Sequence, residues 1–585
     1  MSAAEVQAQP GRTLRIGRTE ALALFGLDGT PVVVEASANA GIPGIDIVGL
    51  PDAAVSESRK RIRAALHNMG VTIQTLRYTV SLSPGSVRKV GTGFDLAIAL
   101  AILGVEGVVD PARTRGIVFC GELGLDGRVL PLPGVLPTVV SGVRAGFREF
   151  VVPAGCAQEA RQVPGARILP VASLADAAVG LGASGIRPQP VEVVRPREST
   201  QAPRPHVHDL AEVQGQDDAR FALEVAAAGG HNVLLAGTPG AGKTLLAGCL
   251  PGILPPLDAE EAVEVMALRS LAGTLGTPDA GSMTPPFETP HHRTTAAAML
   301  GSSRPDAVGV FSRAHRGVLF MDEAPEFSRD VLEALREPLE SGWCRISRSW
   351  GSVTLPAQFQ LVLAANPCPC GVGTGEGPDC RCSPMDRRRY RGRLSGPLLD
   401  RVDLRMEMLP VTPADVHAPV PRESSAEVRA RVLQARQVQA ERYAEEPWST
   451  NARAPGAWLR KAFAFTAQET RMLDRALETG ALSMRGFDRV VRVATTIADL
   501  QGSARPGADE LGRRCSCAAR RGESDDDGCG AGRGRRRGAS GRTRRRGAGG
   551  PRPGGGLRGG AGARAEPHGR RQTARGRGRG GGRGR

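Results

Sequence analysis

Apolar and polar positions alternate in short blocks through the first 185 residues, in a pattern typical of mixed strands and helices. Short apolar runs predict four strands, at residues 31–35, 46–50, 116–120 and 150–152. Polar residues surround Val55, Ile62 and Leu66 at helical spacing, so residues 55–68 are expected to form an amphipathic helix. The segment at 94–103 is apolar apart from Asp95 and predicts a buried helix. We therefore expect residues 14–186 to form one α/β domain.

The pattern changes three times further along the chain. Residues 187–207 are rich in proline and predict a linker. Residues 208–410 alternate strand and helix patterns, which is typical of a parallel α/β sheet. Residues 411–512 are charged and helical, whereas residues 513–585 are almost entirely Arg, Gly, Ala and Pro. Such a low-complexity segment cannot bury a core, so a disordered tail is expected there.

A glycine-rich loop lies between a predicted strand at 232–236 and a predicted helix at 245–250. Its sequence is G-x4-G-K-T, a P-loop in the strand–loop–helix context that phosphate binding requires. Glycines let backbone N–H groups face phosphate oxygens, and the helix N-terminus adds a favourable dipole. We expect Lys243 to reach the β- and γ-phosphates of ATP and Thr244 to ligate Mg²⁺. The expected nucleotide-binding residues are Gly237, Thr238, Pro239, Gly240, Ala241, Gly242, Lys243 and Thr244.

Two later apolar runs also end in polar residues. Residues 317–321 lead into Asp322 and Glu323, which places two carboxylates at the end of a buried strand. Asp322 is expected to hold Mg²⁺, and Glu323 to orient and polarise the attacking water. Residues 359–365 lead into Asn366, which can position that water or sense the γ-phosphate. Taken alone, an acid pair or an Asn at a strand end is also compatible with an ordinary turn.

Four cysteines lie within fifteen residues. Cys368 and Cys370 form one C-x-C pair, and Cys380 and Cys382 form another after a glycine-rich loop. Four thiolates satisfy a tetrahedral Zn²⁺ with no open position, so the pattern predicts a structural zinc site. Reduced thiols without metal and disulfides are the alternatives. The other cysteines between residues 120 and 344 are scattered and are expected to fill the core or the surface.

Composition changes the interpretation of the charge. The chain of 585 residues has 76 Lys and Arg against 60 Asp and Glu, a net charge of +16. Residues 501–585 hold 23 Arg, no Lys and 7 acidic residues, which accounts for the whole excess. The neutral body therefore gives no global sign of a nucleic-acid partner. We interpret the tail as the product of a frameshift near residue 512, with an RGG-like nucleic-acid tail as the alternative.

The ends and the hydropathy of the chain bear on its location. The chain has no run of 18 apolar residues, so no membrane contact is expected. Its first residues do not show a basic segment followed by an apolar one, so export is not expected. A cytoplasmic location is the expectation.

Four further motifs carry a resemblance to a known family. They are Ala228-Gly-Gly-His-Asn232, Pro290-His-His292, Asn366-Pro-Cys-Pro-Cys-Gly371 and Leu394-Ser-Gly-Pro-Leu-Leu-Asp-Arg-Val-Asp403. From about residue 14 to residue 502 the chain resembles the YifB/ComM family. These are AAA+ ATPases similar to the magnesium-chelatase ATPase subunit. The resemblance implies a Lon-protease-like α/β domain, an AAA+ P-loop core with a parallel sheet, and a helical lid.

The resemblance also implies roles for arginines. Family members hydrolyse ATP in a ring, expected here to be a homo-hexamer, and Arg401 would act as an arginine finger on the neighbouring subunit's ATP. Such a side chain spreads charge from the γ-phosphoryl group in the transition state. A salt bridge from Arg401 to Asp400 or Asp403 within one subunit is the alternative. Arg485 matches the second sensor of the lid, with Arg489 as its rival.

Contacts with a substrate are expected in two segments. In the superclass, insertions direct hairpins into the ring channel, and residues 270–300 and 344–356 fit this position. The second segment predicts a hairpin with Arg345 and Arg348 near its tip, which suits DNA. A hairpin that only packs between subunits is the alternative. For His291 and His292, a structural or substrate-loop role is favoured over metal binding, because adjacent residues rarely point at one ion.

The expected activity follows from the resemblance to ComM-type members, which are similar to branch-migrating helicases of natural transformation. We therefore expect an ATP-driven DNA helicase or translocase. The alternatives are an ATPase that remodels a protein partner, as magnesium chelatase does, and a scaffold without catalysis. No peptidase activity is expected, because Gly93 and Leu136 stand where Lon carries its nucleophilic Ser and its Lys.

Overall fold

The computed structural model describes residues 15–71, 76–188, 190–196, 207–275, 282–301, 308–348, 351–371, 380–416 and 422–512. All of these residues belong to one compact unit that extends to Gly522. The Arg- and Gly-rich tail, on which the frameshift hypothesis rests, lies outside the described residues. None of the helices in this part of the chain is long and apolar enough to cross a membrane.

The N-terminal domain is built on a seven-stranded mixed sheet in the order β3-β4-β2-β1-β5-β8-β9, with β6 and β7 forming a separate small ladder. Its strands are β1 (Gly17–Phe25), β2 (Asp28–Ala40), β3 (Gly44–Val48), β4 (Leu76–Ser83), β5 (Ile117–Phe119), β6 (Glu122–Leu123), β7 (Val129–Leu130), β8 (Glu149–Pro153) and β9 (Arg167–Val171). Its helices are α1 (Ala53–Asn68), α2 (Asp95–Val105), α3 (Val135–Arg144), α4 (Ala157–Ala160) and α5 (Leu174–Gly180).

Local sequence explains these elements. Asp52 caps α1 by accepting a hydrogen bond from the backbone of Val55. Every residue of α2 is buried, as its mostly apolar sequence predicts. The exception to the apolar pattern is Asp95 at its start, whose carboxylate pairs with Arg61. The predicted end of the strand at 46–50 is wrong, because β3 stops at Val48. Leu50 has a φ of +55°, which is incompatible with an extended strand.

The second domain contains a five-stranded sheet in the order β11-β12-β15-β10-β16, in which all neighbours are parallel. Its strands are β10 (Val233–Gly237), β11 (Phe287–Glu288), β12 (Val318–Met321), β13 (Trp343–Arg348), β14 (Gly351–Pro356), β15 (Gln360–Ala365) and β16 (Leu404–Met408), of which β13 and β14 form an antiparallel hairpin. Its helices are α6 (Asp217–Gly229), α7 (Lys243–Ile253), α8 (Ala259–Leu271), α9 (Ala296–Leu300), α10 (Val310–Arg313), α11 (Arg329–Ala334), α12 (Arg336–Ser341), α13 (Pro384–Arg391), α14 (Gly396–Leu399) and α15 (Pro413–Val416). The parallel sheet expected for residues 208–410 is confirmed, and it brings the carboxyl ends of β10, β12 and β15 to one edge.

Four longer helices follow, and they divide into two groups. They are α16 (Ser425–Arg442), α17 (Gly456–Phe463), α18 (Ala467–Glu478) and α19 (Met484–Leu500), and residues 508–512 are also helical. Val432 of α16 and Val493 of α19 are buried in the same cluster as α6, α7 and the sheet. Leu459 and Leu473 of the outer pair belong to a separate cluster that includes Leu511. Helix α19 has buried residues in both clusters and so connects the outer helices to the sheet domain.

The N-terminal domain and the ATPase domain share one apolar cluster. Val135 and Leu136 of α3 pack with Val265 and Met266 of α8, and all four side chains are buried. Ser270 of α8 adds two hydrogen bonds, because its carbonyl accepts from the Gly134 N–H at 3.0 Å and its hydroxyl from the Leu136 N–H at 3.3 Å. The two domains are thus joined by packing as well as by the proline-rich segment.

Candidate nucleotide site

The P-loop has the backbone shape that its glycines predict. Gly240 and Gly242 have φ values of +81° and +86°, which glycine adopts without a side-chain clash. Helix α7 begins directly after them, so its N-terminal N–H groups face the loop. The loop therefore has both the turn and the helix dipole that a phosphate group needs.

Lys243 is held among oxygen acceptors. Its Nζ donates to the carbonyls of Gly237 at 2.8 Å and Thr238 at 2.9 Å, and to Oδ1 of Asn366 at 3.1 Å. Burial lowers the pKa of this lysine, while the nearby Asp322 and Glu323 raise it. The ammonium group thus sits at the edge where three strands end, in surroundings that suit phosphate oxygens.

The expected magnesium ligands are in contact. Oγ1 of Thr244 donates to Oδ2 of Asp322 at 2.8 Å, and the other carboxylate oxygen accepts from the Glu323 N–H at 2.8 Å. A hydroxyl and a carboxylate side by side, next to the loop that would hold the phosphates, fit Mg²⁺, which prefers oxygen ligands and keeps several waters. These residues would hold the ion against the phosphates of ATP, where it would neutralise charge during hydrolysis.

Glu323 lies just outside this pair in an unusual backbone conformation. Its φ of +51° and ψ of +43° are left-handed, which is uncommon for a residue other than glycine. Its side chain is 50% exposed, and Oε2 lies 3.2 Å from Nδ1 of His292. The sequence did not indicate this contact, because the preceding strand β11 is only two residues long.

The cavity beside these groups is lined by both histidines. Its wall includes Thr244 of the P-loop helix, Glu323 of the acid pair and the segment after β11. The expected channel segment 270–300 therefore contributes Pro290, His291 and His292 to the nucleotide site, while residues 276–281 of it lie outside the described residues.

Arg401 makes a salt bridge, but with neither of the partners considered from the sequence. One guanidinium nitrogen donates to Glu340 of α12 at 2.6 Å and another to the carbonyl of Pro397 at 2.8 Å. Asp403 instead contacts the buried His231, with 3.3 Å between Oδ2 and Nδ1. Arg401 thus forms a salt bridge within its own subunit, but with Glu340 instead of Asp400 or Asp403. Its role as an arginine finger on the neighbouring subunit's ATP stays a prediction.

The two candidate sensor arginines have different surroundings. Arg489 donates to the carbonyls of Leu399 and Val402, at 3.4 and 3.2 Å, and so binds the turn that carries Arg401. The Arg401 guanidinium holds the pKa of Glu340 below its usual range, and Arg485 contributes to the same effect. Arg485 therefore lies in the electrostatic neighbourhood of Arg401, and its contact with phosphate stays a prediction.

The four cysteines of the C-x-C pairs come together. Sγ of Cys368 lies 3.2 Å from Cys370 and 3.7 Å from Cys380, and all four sulfur atoms lie within 4.8 Å of one another. A tetrahedron of sulfurs around zinc, with Zn–S of about 2.3 Å, has sulfur–sulfur distances of about 3.8 Å. The donor set therefore fits a closed zinc site, and all four residues are free cysteines in the structure.

The cysteine loop touches the P-loop. Gly371 has a φ of +78°, and a Cβ added there would lie 2.7 Å from the Pro239 ring. The same loop begins directly after Asn366, which contacts Lys243. Order in the cysteine cluster therefore bears on the shape of the phosphate-binding loop.

The segment 344–356 contains the expected hairpin, with β13 and β14 paired from Trp343↔Pro356 to Arg348↔Gly351. Its inner face is buried, through Val353 and Leu355, against Leu268 and Leu271 of α8. Its outer face is exposed and carries Trp343, Arg345, Ser347, Ser352 and Thr354. Residues 349–350 at the tip and the side chain of Arg348 lie outside the described residues, and Arg345 is paired with Thr354 in the middle of the hairpin.

A parallel sheet whose P-loop, acid pair and polar amide meet at one edge defines a P-loop ATPase core of the AAA+ kind. Three family descriptions match the chain: Subunit ChlI of Mg-chelatase over residues 34–155, Magnesium chelatase, subunit ChlI over 209–416, and its C-terminal part over 422–516.

Similar proteins that align over most of this chain identify the family within the AAA+ ATPases. The uncharacterized protein Rv2897c of Mycobacterium tuberculosis is 44% identical over 503 residues, covering 85% of this chain and 97% of the relative. YifB of Escherichia coli is 37% identical over 483 residues, covering 82% and 92%. Competence protein ComM of Haemophilus influenzae is 36% identical over 482 residues, covering 82% and 93%. The chain belongs to the YifB/ComM family of magnesium-chelatase-like AAA+ ATPases, which implies ATP and Mg²⁺ as its cofactors.

The N-terminal region has a further similarity. Lon protease of Mycolicibacterium smegmatis is 30% identical over 149 residues, covering 24% of this chain and 19% of the protease. At the two positions that the resemblance aligns with the Lon dyad, Leu136 is fully buried in the cluster with α8, and a Cβ on Gly93 would contact Leu132 at 3.2 Å. Neither position offers a nucleophile or a base, which supports the prediction that peptidase activity is missing.

Proposed function

We propose that this protein is an ATP-driven motor that acts on DNA as a ring, with helicase or branch-migration activity in recombination and natural transformation. The observation that carries the proposal is the outer face of the β13–β14 hairpin. An aromatic ring, a guanidinium and three hydroxyl groups share that face, and the inner face anchors the hairpin on α8. Aromatic rings stack on bases, while arginine and hydroxyl groups bind phosphates.

The β13–β14 hairpin directly follows helix α12, which contacts the proposed arginine finger, Arg401. Glu340, the partner of Arg401, lies on α12, and β13 begins two residues after that helix ends. If Arg401 reaches the ATP of a neighbouring subunit, Glu340 loses its partner and α12 can shift. We propose that this movement transmits hydrolysis to the hairpin. The printed name of the ComM relative, a competence protein, is consistent with DNA as the substrate.

We also propose that the four cysteines hold a structural zinc ion. The ion would close the loop between Asn366 and α13 and support Pro239 of the P-loop through Gly371. The ion would only cross-link the four residues and would not take part in catalysis, because four thiolates leave no open position on the metal. Metal analysis of the purified protein should find about one zinc per chain, and replacing Cys380 and Cys382 by Ser should remove it.

The motor proposal is tested by the ATPase rate of the full chain with and without forked or four-way-junction DNA. DNA should stimulate the wild-type protein, and Lys243→Ala should abolish hydrolysis under both conditions. Arg345→Ala should raise the DNA concentration needed for half-maximal stimulation by about fivefold and reduce its salt dependence. The rate without DNA should stay within about twofold, because Arg345 is outside the nucleotide site.

Arg429→Ala is the matched control, since it removes an exposed arginine from α16 on a different part of the surface. It should leave stimulation unchanged. If junction DNA neither stimulates the wild-type ATPase nor is unwound, the DNA motor is wrong, and remodelling of a protein partner becomes the better explanation.

A further inference from the structure

We propose that helix α13 is a second DNA-contact element, which binds backbone phosphates through its arginines and couples that contact to ATP hydrolysis. The inference rests on the proposed action on DNA, and it adds a contact surface that is separate from the β13–β14 hairpin. It also gives bound DNA a route to the residues of the nucleotide site.

The exposed surface of α13 carries charge of one sign. Its one acidic residue, Asp386, is used in capping the start of the helix. Like charges three or four residues apart destabilise a helix, so an anion that lies against such a cluster stabilises it. Four arginines occupy five successive positions, and none of them makes an ion pair with a described carboxylate; they are Arg387, Arg388, Arg389 and Arg391. The last three are exposed, whereas Tyr390 between them is buried.

The chemistry of this surface matches the backbone of DNA. Guanidinium groups bind phosphate oxygens through pairs of parallel hydrogen bonds. The exposed face of α13 has no aromatic ring, since Tyr390 is buried, so it lacks the stacking surface that unpaired bases use. We therefore expect contacts with phosphates that do not depend on base sequence and that weaken steeply with salt.

The start of α13 is connected to the residue that contacts the P-loop lysine. Cys382 lies two residues before Pro384, and its sulfur belongs to the same cluster as that of Cys368. Cys368 in turn lies two residues after Asn366, whose side chain accepts a hydrogen bond from Lys243. A movement at the start of the helix can therefore reach Asn366 over a short path.

The end of α13 is connected to the turn that follows the acid pair. Arg393 donates from Nη1 to the carbonyl of Pro325 at 2.9 Å and to Oε2 of Glu326 at 3.0 Å. Burial raises the pKa of Tyr390 to about 12, while a hydrogen bond from the Asn366 backbone lowers it. The inner face of α13 thus touches both strand ends that supply polar groups to the site, while its outer face carries the free arginines.

The contact with phosphates is tested by the ATPase rate of the full chain as a function of forked-DNA concentration at several salt concentrations. The double variant Arg388→Gln, Arg391→Gln should raise the half-maximal DNA concentration by about tenfold and lower the slope of log affinity against log salt by about two. The rate without DNA should stay within about twofold, because both side chains are outside the nucleotide site. The matched control is Arg471→Gln, Arg475→Gln, which removes two exposed arginines from α18 and should change neither quantity.

The coupling is tested by Tyr390→Phe, which keeps the buried ring and removes the hydroxyl group. The ratio of the DNA-stimulated to the unstimulated ATPase rate should fall to about half of the wild-type ratio or less, with the half-maximal DNA concentration within about twofold. A fluorescent ATP analogue should still bind, which shows that the variant is folded.

The proposal is wrong if the Arg388 and Arg391 double variant keeps the wild-type DNA affinity and salt slope, or if Tyr390→Phe keeps the wild-type stimulation ratio. A double variant that no longer assembles into rings, seen as a lower mass in solution, would instead assign α13 to contacts between subunits and would also contradict it. A wild-type protein that DNA does not stimulate would contradict the motor itself, whereas a stimulated wild type and an equally stimulated double variant contradict the role of α13 alone.

Discussion

Glu159 is a titratable side chain beside the contact between the two domains. It lies on α4, and burial raises its pKa to about 7, while hydrogen bonds from Ser270 of α8 and from Cys156 lower it. A carboxyl group in unfolded chain titrates near 4.3. The folded protein therefore binds this proton more tightly, and stability should be lost as the pH rises from about 4.5 to about 7.

Replacing Glu159 by Gln removes the cost of the buried charge. At pH 8 the variant should be more stable than wild type, on the order of 1 kcal/mol, and near pH 5 the advantage should disappear. Thermal unfolding followed at both pH values measures the difference. An equal change in Tm at pH 5 and pH 8 would show that the group does not titrate in this range.

The sequence predicted those site residues that belong to a recognisable motif next to the end of a predicted strand. Asp322 and Asn366 each follow an apolar run, and Lys243 follows the glycine-rich loop that comes after a third run. Parallel strands bring their ends to one edge, and in the structure Lys243 contacts Asn366 while Thr244 contacts Asp322. The partners His292 for Glu323 and Glu340 for Arg401 were not predictable. They are 31 and 61 residues from their partners along the chain, and the turns between them decide the contact.

The cysteine loop contacts the P-loop. A substitution that adds a single methyl group to the cysteine loop tests whether this contact supports the P-loop. Gly371→Ala places a Cβ 2.7 Å from Pro239 at a φ of +78°. The clash should displace the P-loop and weaken ATP binding by about tenfold, with the zinc content unchanged. Titration with a fluorescent ATP analogue measures the affinity.

Gly480→Ala is the matched control. Gly480 has a φ of +71°, but a Cβ there would meet nothing within 4 Å. It carries the same backbone strain of about 1 kcal/mol without the clash. Equal ATP affinities of the two variants would show that the Gly371 contact does not support the P-loop.

Several longer helices and strands with a regular apolar pattern were predicted correctly from the sequence, whereas strands of only two residues were not. Helices α1 and α2 and strands β10, β12 and β15 follow clear patterns and lie where the sequence predicts them. Strand β11 was missed because two residues carry no period. Residues 411–512 were expected to form a helical lid, but the sequence did not indicate how its helices pack. Helix α16 buries its apolar face in the core of the sheet domain, and α19 divides its apolar residues between that core and the cluster of the outer helices. Amphipathic helices reveal an apolar face without revealing what covers it.

The arrangement of whole subunits determines where Arg401 acts. If it completes the neighbouring site, Lys243→Ala and Arg401→Ala variants should each be inactive alone and should regain activity when mixed. In a random ring of equal parts, about a quarter of the interfaces pair an intact nucleotide site with an intact arginine. The ATPase rate of the mixture should therefore approach a quarter of the wild-type rate.

The mixing experiment requires subunit exchange, which mass analysis of rings carrying two differently tagged variants can demonstrate. Exchange without recovery of activity would show that Arg401 serves its own subunit. The salt bridge to Glu340 would then be its permanent state.

The apolar cluster shared by α3 and α8 has a consequence for any variant that lacks the N-terminal domain. Leu136, which the resemblance aligns with the Lys of Lon, is part of this cluster and so contributes to the packing of the two domains. The fold as a whole cannot be shed so easily, because Val265 and Met266 of the ATPase domain would then face water. The N-terminal domain therefore has a structural role in covering the ATPase domain, whether or not it has any chemistry of its own.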